Sequence, residues 1–198
     1  MQHARLAGVK VGVVLTGSHC TIGDTLPQIE LLKAEGAEIY PILSNSVNEV
    51  DNRFYRVDDL KAALKKITSK PIINTIVGAE PIGPQKKLDI VLVMPATGNT
   101  IAKLANGIVD TPALMAIKAH LRNQRPVVIA VSTNDALGIN AKNIGLLLNM
   151  KSIYFVPFRQ DDPFNKANSV VAKLDLIFET TLCALQGKQI QPLMLGPA

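Results

Sequence analysis

Three observations predict an α/β chain built on a three-layer, Rossmann-like, doubly wound parallel sheet. Apolar, β-branched runs recur at 9–15, 37–43, 89–94, 126–131 and 152–156 with helical patterns between them, the alternation expected of parallel strands linked by helical crossovers. Ile90, Val91, Leu92, Val93 and Met94 follow one another without a polar break, so they suit a central strand buried on both faces. Directly after that strand, Pro95 to Thr100 form a hydroxyl-rich turn into a helix. At 198 residues the chain fits one domain spanning 1–198, large enough to enclose a real core.

The helices are expected at 25–35, 58–66, 99–106, 112–123, 140–150 and 169–186. Gly36 closes the first as a C-cap, and Asp58 or Asp59 opens the second. Asn99 or Thr100 caps the third, whose Ile101, Leu104, Ala105 and Ile108 share one face. The same periodicity makes Val170, Val171, Leu174, Ile177, Phe178 and Leu182 the buried face of the last helix. The segment 70–87, with its prolines and glycines, has room for a short extra strand around 71–74.

Composition narrows the function. Hydrophobic residues make up 47% of the chain and charged ones 19%, yet no apolar run approaches the ~18 residues of a membrane span, so no membrane role is expected. The opening MQHARLAGVKVGVVL lacks a signal-peptide pattern, because its apolar part already reads as the first strand. Cys20 and Cys183 lie far apart without metal-ligand spacing, which suits a cytoplasmic, zinc-free chain with no metal site. The formal charge of +5 is spread over lysines such as Lys61, Lys65 and Lys66 on an outer helix face. That is a solvated surface rather than a nucleic-acid site, with a mild preference for small anions left open.

Right-handed crossovers place every loop after a strand on one edge of the sheet, where ligands of such folds bind. Four of these loops are chemically rich. Thr16, Gly17, Ser18, His19, Cys20 and Thr21 follow the first strand, and Ser44, Asn45 and Ser46 the second. Ala96, Thr97, Gly98, Asn99 and Thr100 follow the third, and Ser132, Thr133, Asn134 and Asp135 the fourth. Gly12, Gly17 and Gly23 do not form GxGxxG and no GK[ST] is present, which argues against a nicotinamide or ATP site. Neutral hydroxyls beside Gly17, together with the free amides of the helix that Asn99 or Thr100 caps, suit a monophosphate. His19 is either a charge-assisted donor or a solvated loop histidine, and Cys20 reads as a small packing residue. A second polar concentration holds Asn134, Asp135, Lys142 and Gln160, along with Lys151, Asp161 and Asp162. Asp161 and Asp162 are adjacent and point apart, which fits a turn before Pro163 better than an acid/base pair. Lys142 and Lys151 either hold a carboxylate substrate or are solvated at helix ends.

Pro95 to Thr100 and the following helix resemble the flavoprotein family of homo-oligomeric, flavin-containing cysteine decarboxylases, which includes flavin prenyltransferases. The resemblance spans nearly the whole chain. It implies FMN as cofactor, held by Gly17, Ser18, Ser44, Ala96, Thr97, Asn99 and Thr100, to which the reading of the first loop adds Thr16 and His19, and it implies a homo-oligomer built on trimers. Two departures matter. Glu80, Pro81 and Ile82 stand where the decarboxylases carry a catalytic histidine, and VSTNDALG at 131–138 replaces their methionine-containing substrate motif, with only Asn134 in place.

VSTNDALG together with NAKNIGLLLNMKSIYFVPFRQDDP is similar to one branch of that family, the dipicolinate synthase B subunits of spore-forming bacteria. That likeness implies an oxidoreductase subunit supporting the oxidation of dihydrodipicolinate to dipicolinate in the mother-cell cytoplasm. Its partner is the A subunit of dipicolinate synthase, which carries the nicotinamide site and the NADP. Asn134, Asp135, Lys142 and Gln160 are the expected substrate contacts, since they lie where the chain departs from the decarboxylases; no catalytic residue is assigned. Two alternatives stay open: a free-standing FMN-dependent decarboxylase or prenyltransferase, and a non-catalytic scaffold.

Overall fold

In the computed structural model, which describes residues 4–196, the parallel strands fall where the apolar runs predict. They are β1 (Lys10–Leu15), β2 (Glu38–Leu43), β3 (Ile90–Ala96), β4 (Val127–Thr133) and β5 (Ile153–Phe155). A hairpin of β6 (Phe158–Asp162) and β7 (Lys166–Ala172) completes the sheet. Its order is β2-β1-β3-β4-β7-β6, with β5 also on β4. The helices are α1 (His19–Ala34), α2 (Asn45–Glu49), α3 (Val57–Thr68), α4 (Ile76–Ala79), α5 (Gly98–Ala105), α6 (Pro112–Leu121), α7 (Ala141–Leu148) and α8 (Ile177–Leu185).

The continuous apolar strands serve two cores at once. Along β1 and β3, Val11, Val13, Ile90 and Leu92 turn to one core with Ile29 of α1, Leu64 of α3 and Phe178 of α8. The intervening Val14, Val91 and Val93 turn to the other with Ile101 of α5, Ile117 of α6 and Leu147 of α7. Side chains alternate across a strand, so both faces must be apolar when helices cover both. The result is the expected three-layer arrangement.

Several boundaries differ from the expectations. The helix expected at 169–186 divides: residues 169–172 belong to β7, Leu174–Leu176 form a single 3-10 turn, and the α-helix begins only at Ile177. Val170 and Val171 pair antiparallel with Thr133 and Ser132, because β4 outruns its parallel partner β5, which stops at Phe155 opposite Ile129. A β-branched pair fills that open edge better than it fills a helix. Helix α1 starts at His19 rather than 25, which places Ser18 at its N-cap and His19, Cys20 and Thr21 in its first turn. Thr97, not Asn99 or Thr100, caps α5, its Oγ1 accepting the Thr100 amide at 3.2 Å. Arg56 precedes α3, with Asp58 and Asp59 inside its first turn, while Asp51 Oδ1 accepts the Val57 amide at 2.8 Å. Gly36 follows α1 at φ +90°, as a helix-ending glycine should. The strand expected at 71–74 contracts to one parallel bridge between Ile42 and Ile73.

Candidate functional site

Leu15, Ala96 and Thr133 end their strands on one edge of the sheet, and over that edge lies an open cleft of about 800 Å³, a size typical of small-ligand sites. Its floor comes from the start of α1 and the end of β4. The β6–β7 hairpin forms one wall, through Asp161, Lys166 and Ser169, and the connection after α2 adds Arg53 and Phe54.

On the floor three hydroxyls form a triangle. Ser132 Oγ lies 2.8 Å from both Ser18 Oγ and Thr21 Oγ1, and the latter two are 3.2 Å apart. Each hydroxyl has one proton and two acceptor sites, so the ring pairs internally and still offers oxygens to a ligand. Ser18 precedes a 16-residue helix whose first-turn amides lack intrahelical acceptors. Thr97, at the start of α5, also faces the cleft. Ser46 Oγ comes within 2.7 Å of where a Cβ on Gly17 would stand, so that turn lies directly against the α2 hydroxyls.

His19 is held from behind. Asn52 Oδ1 accepts the amides of Phe54 (2.9 Å) and Tyr55 (3.3 Å), which turns its Nδ2 toward His19 Nδ1 at 3.3 Å. Tyr55 Oη is 2.6 Å from the same nitrogen, and burial pushes the Tyr55 phenol above its ordinary pKa, keeping its proton available. Nδ1 is therefore the acceptor and the ring hydrogen sits on Nε2. The Nε2 edge lies beside Gly17, 3.6 Å from its Cβ position.

Charge in the cleft is balanced, with Arg53 and Lys166 against Asp24 and Asp161. Lys166 donates to Asp161 at 2.8 Å, and that carboxylate raises the lysine pKa. Arg53 has no carboxylate partner among the described residues; its Cζ lies 4.8 Å from the Phe54 ring centroid.

Of the expected site residues, Gly17, Ser18, His19, Thr97 and Asn134 line this cleft. Thr16 is buried beneath it, where its hydroxyl donates to the Pro95 carbonyl at 2.7 Å and accepts the Thr97 amide at 3.0 Å. Ser44 is buried beside Ser46, their hydroxyls 3.2 Å apart. Ala96 packs into the second core, Thr100 bonds Thr97, and Asn99 is exposed in the first turn of α5. Asp135 turns inward, accepting from Thr133 Oγ1 and, at 2.9 Å, from Asn140 Nδ2. Lys142 is exposed on α7, and Gln160 spans the hairpin to the Ala167 carbonyl at 2.9 Å. Neither belongs to the cleft wall.

Sequence reading gives no site role to Arg53, Phe54, Lys166 or Ser169, and names Ser132 only as part of the polar loop after the fourth strand. Ser132 stands at the carboxyl end of β4, directly before Thr133 and Asn134, and that place on the ligand-binding edge is the signal for it. Cys20, read as a packing residue, is instead exposed in the cleft, because α1 begins one residue before it.

A family model described as Flavoprotein matches residues 2–181. The B subunit of dipicolinate synthase from Bacillus subtilis is 47% identical over 190 residues, 96% of this chain and 95% of that one. The crystal structure of the dipicolinate synthase B subunit from Bacillus halodurans superposes with a TM-score of 0.91 at 45% identity, covering 98% of this chain and 100% of that one. Burkholderia xenovorans DmrB, solved in complex with FMN, superposes with a TM-score of 0.61 at 19% identity, covering 75% of this chain and 87% of that one. That last likeness is one of fold.

Proposed function

This chain belongs to the Flavoprotein family, and from that premise we propose that it binds FMN in the cleft and serves as the B subunit of a dipicolinate synthase. The reaction supported is oxidation of dihydrodipicolinate to pyridine-2,6-dicarboxylate during sporulation, in the mother-cell cytoplasm, within a trimer-based homo-oligomer joined by the A subunit. The observation that carries the cofactor is the Ser18–Thr21–Ser132 triangle at the head of α1. Neutral donors around Gly17, the first-turn amides and His19 Nε2–H meet a monophosphate without a dedicated lysine.

Aromatising the dihydro ring removes a hydride and a proton, and a flavin held here supplies a two-electron acceptor. Ser18, His19 and Thr97 bind and orient, and the β6–β7 wall shields the ring from water. NADP is assigned to the A subunit, since this chain lacks a dinucleotide fingerprint. Cysteine decarboxylation loses its proton carrier: Pro81 stands at the histidine position and is not on the cleft wall, and a proline side chain exchanges no proton.

Two measurements test this. FMN titration should show binding that weakens at least about tenfold when Ser18 and Thr97 are both changed to alanine, at 1–3 kcal/mol per lost bond to an anion; unchanged affinity removes the site. Reconstitution with the A subunit, following dipicolinate absorbance with each of the two chains omitted in turn, should show that both are required. Full activity without this chain reduces it to a scaffold, and activity from this chain alone makes it a complete enzyme.

A further inference from the structure

The connection 51–56 is a built arch rather than a slack loop. Asn52 Oδ1 folds it by accepting the Phe54 and Tyr55 amides, and Asp51 ties its far end through the Val57 amide and Arg56 at 3.4 Å. Tyr55 Oη and Asn52 Nδ2 then lock it to His19 Nδ1. What this arch holds over the cleft is Arg53 and Phe54.

Its charges are unevenly committed. Asp51 answers Arg56, and across the cleft Asp161 answers Lys166. That leaves Arg53 as the cleft's cation, and Asp24 as its second carboxylate, without an ion-pair partner among the described residues, the Arg53 guanidinium lying beside the half-exposed Phe54 ring. A planar guanidinium fork takes a carboxylate through two parallel hydrogen bonds, and an adjoining aromatic face takes a flat ring. A phosphate monoester would use the fork and leave the ring idle. A ring that carries carboxylates uses both.

We propose that the arch is the substrate clamp of the cleft: Arg53 holds one carboxylate of a planar heterocyclic dicarboxylate, Phe54 lies against the ring, and His19 positions the arch. This rests on the functional reading above and adds to it the group that recognises the substrate. His19 is the positioning residue, with Nδ1 committed to the arch and Nε2–H turned to the Gly17 turn, so one imidazole ties the phosphate end of the cleft to its substrate end.

The test is titration calorimetry on the full chain, with and without FMN, using pyridine-2,6-dicarboxylate, pyridine-2-carboxylate and FMN as separate probes. Arg53→Gln should weaken the dicarboxylate by about tenfold or more, the scale of a lost charged hydrogen bond, and leave FMN within about twofold; Arg53→Lys should recover part of the loss. The parent chain should prefer two carboxylates to one. Tyr55→Phe keeps the ring and removes the hydroxyl. Histidine-ring 15N spectra should show His19 protonated on Nε2 alone in the parent and as mixed tautomers in this variant, with dicarboxylate affinity reduced by about threefold. Loss of FMN affinity at Arg53→Gln with the dicarboxylate unchanged would give Arg53 to the phosphate and overturn the clamp. So would no dicarboxylate binding by the parent chain, or no effect of Arg53→Gln on any probe. Failure of FMN to bind would instead count against the cofactor assignment, while the dicarboxylate titrations of the FMN-free chain still decide the clamp.

Discussion

A Cβ on Gly98 would stand 2.6 Å from Asp135 Oδ1, closer than carbon and oxygen tolerate. The same point is 2.7 Å from Asn140 Nδ2 and from Thr133 Oγ1, so the glycine is where α5 presses against the network that folds the loop after β4. Thr133 and Asn140 both donate to Asp135, and Asn143 donates to Asn140 Oδ1 at 2.8 Å. None of these side chains can retreat without giving up a partner. Gly98→Ala should therefore cost about 1–3 kcal/mol, the usual range for overpacking, read as a lower denaturant midpoint at unchanged slope. Parent-like stability would show that the network yields freely.

Thr16 leads to a second expectation. Its hydroxyl is 1% exposed and joins two loops, donating to the Pro95 carbonyl and accepting the Thr97 amide. Valine keeps the shape and removes both bonds, leaving a buried carbonyl and amide unpaired. Thr16→Val should lose about 2–4 kcal/mol of stability at ~1–2 kcal/mol for each orphaned group. It should also weaken FMN, because Thr97 loses its anchor. If FMN affinity falls with no change in denaturation, Thr16 acts on the ligand directly.

These two cases show where sequence reading succeeds and where it stops. Unbroken apolar runs such as Ile90 to Met94 have one comfortable place, a strand covered on both faces, so the sheet and its carboxyl edge were legible. Within the edge, sequence marks which loops are polar but not which way each side chain turns. Asp135 reads as a substrate contact and is held within its own loop by Thr133 and Asn140, while Ser132, read with it in the loop after the fourth strand, ends up on β4 and opens into the cleft. The arch 51–56 drew no notice, because its shape depends on Asn52 finding His19, 33 positions away. Val170 and Val171 satisfied a helical period, and the free edge of β4 decided against it.

His120 supplies a pH dependence. It is 1% exposed, with Nε2 3.1 Å from the Pro126 carbonyl, and burial lowers its pKa to about 4, with Arg125 adding to the depression. Above the unfolded value near 6.5 both states are neutral, so this group gives no slope. As pH falls from there toward 4, the unfolded chain takes a proton that the folded chain refuses, and stability drops by about 3 kcal/mol over the window. Glu38 and Asp162, whose pKa values are also lowered, by Lys70 and Asn165 respectively, give up their stabilisation as pH falls through their unfolded values, so they enter only at the acid end of that window and below it. Denaturation series from pH 7.5 to about 4.5 should show the slope in the parent and lose it in His120→Gln. An equal slope in the variant assigns it to other groups.

The hydroxyl triangle makes the last expectation, because its members do not act separately. Ser18 and Ser132 are bonded to each other at 2.8 Å and both reach Thr21. Replacing either serine by alanine frees the other hydroxyl to rotate, so much of the loss in FMN affinity is already taken by the first substitution. Each single change should cost about 1.5–3 kcal/mol, one hydrogen bond to a charged group. The double change should cost less than the sum by about 0.5–1.5 kcal/mol, the coupling found between side chains in contact. Ser18 with Thr97 gives the contrast, since no hydrogen bond links their side chains among the described residues and their effects should add. FMN titration of the three single variants and two doubles measures both cycles. Additive losses for Ser18 and Ser132 would mean that the ligand meets them one at a time, and the triangle would then be packing rather than a binding surface.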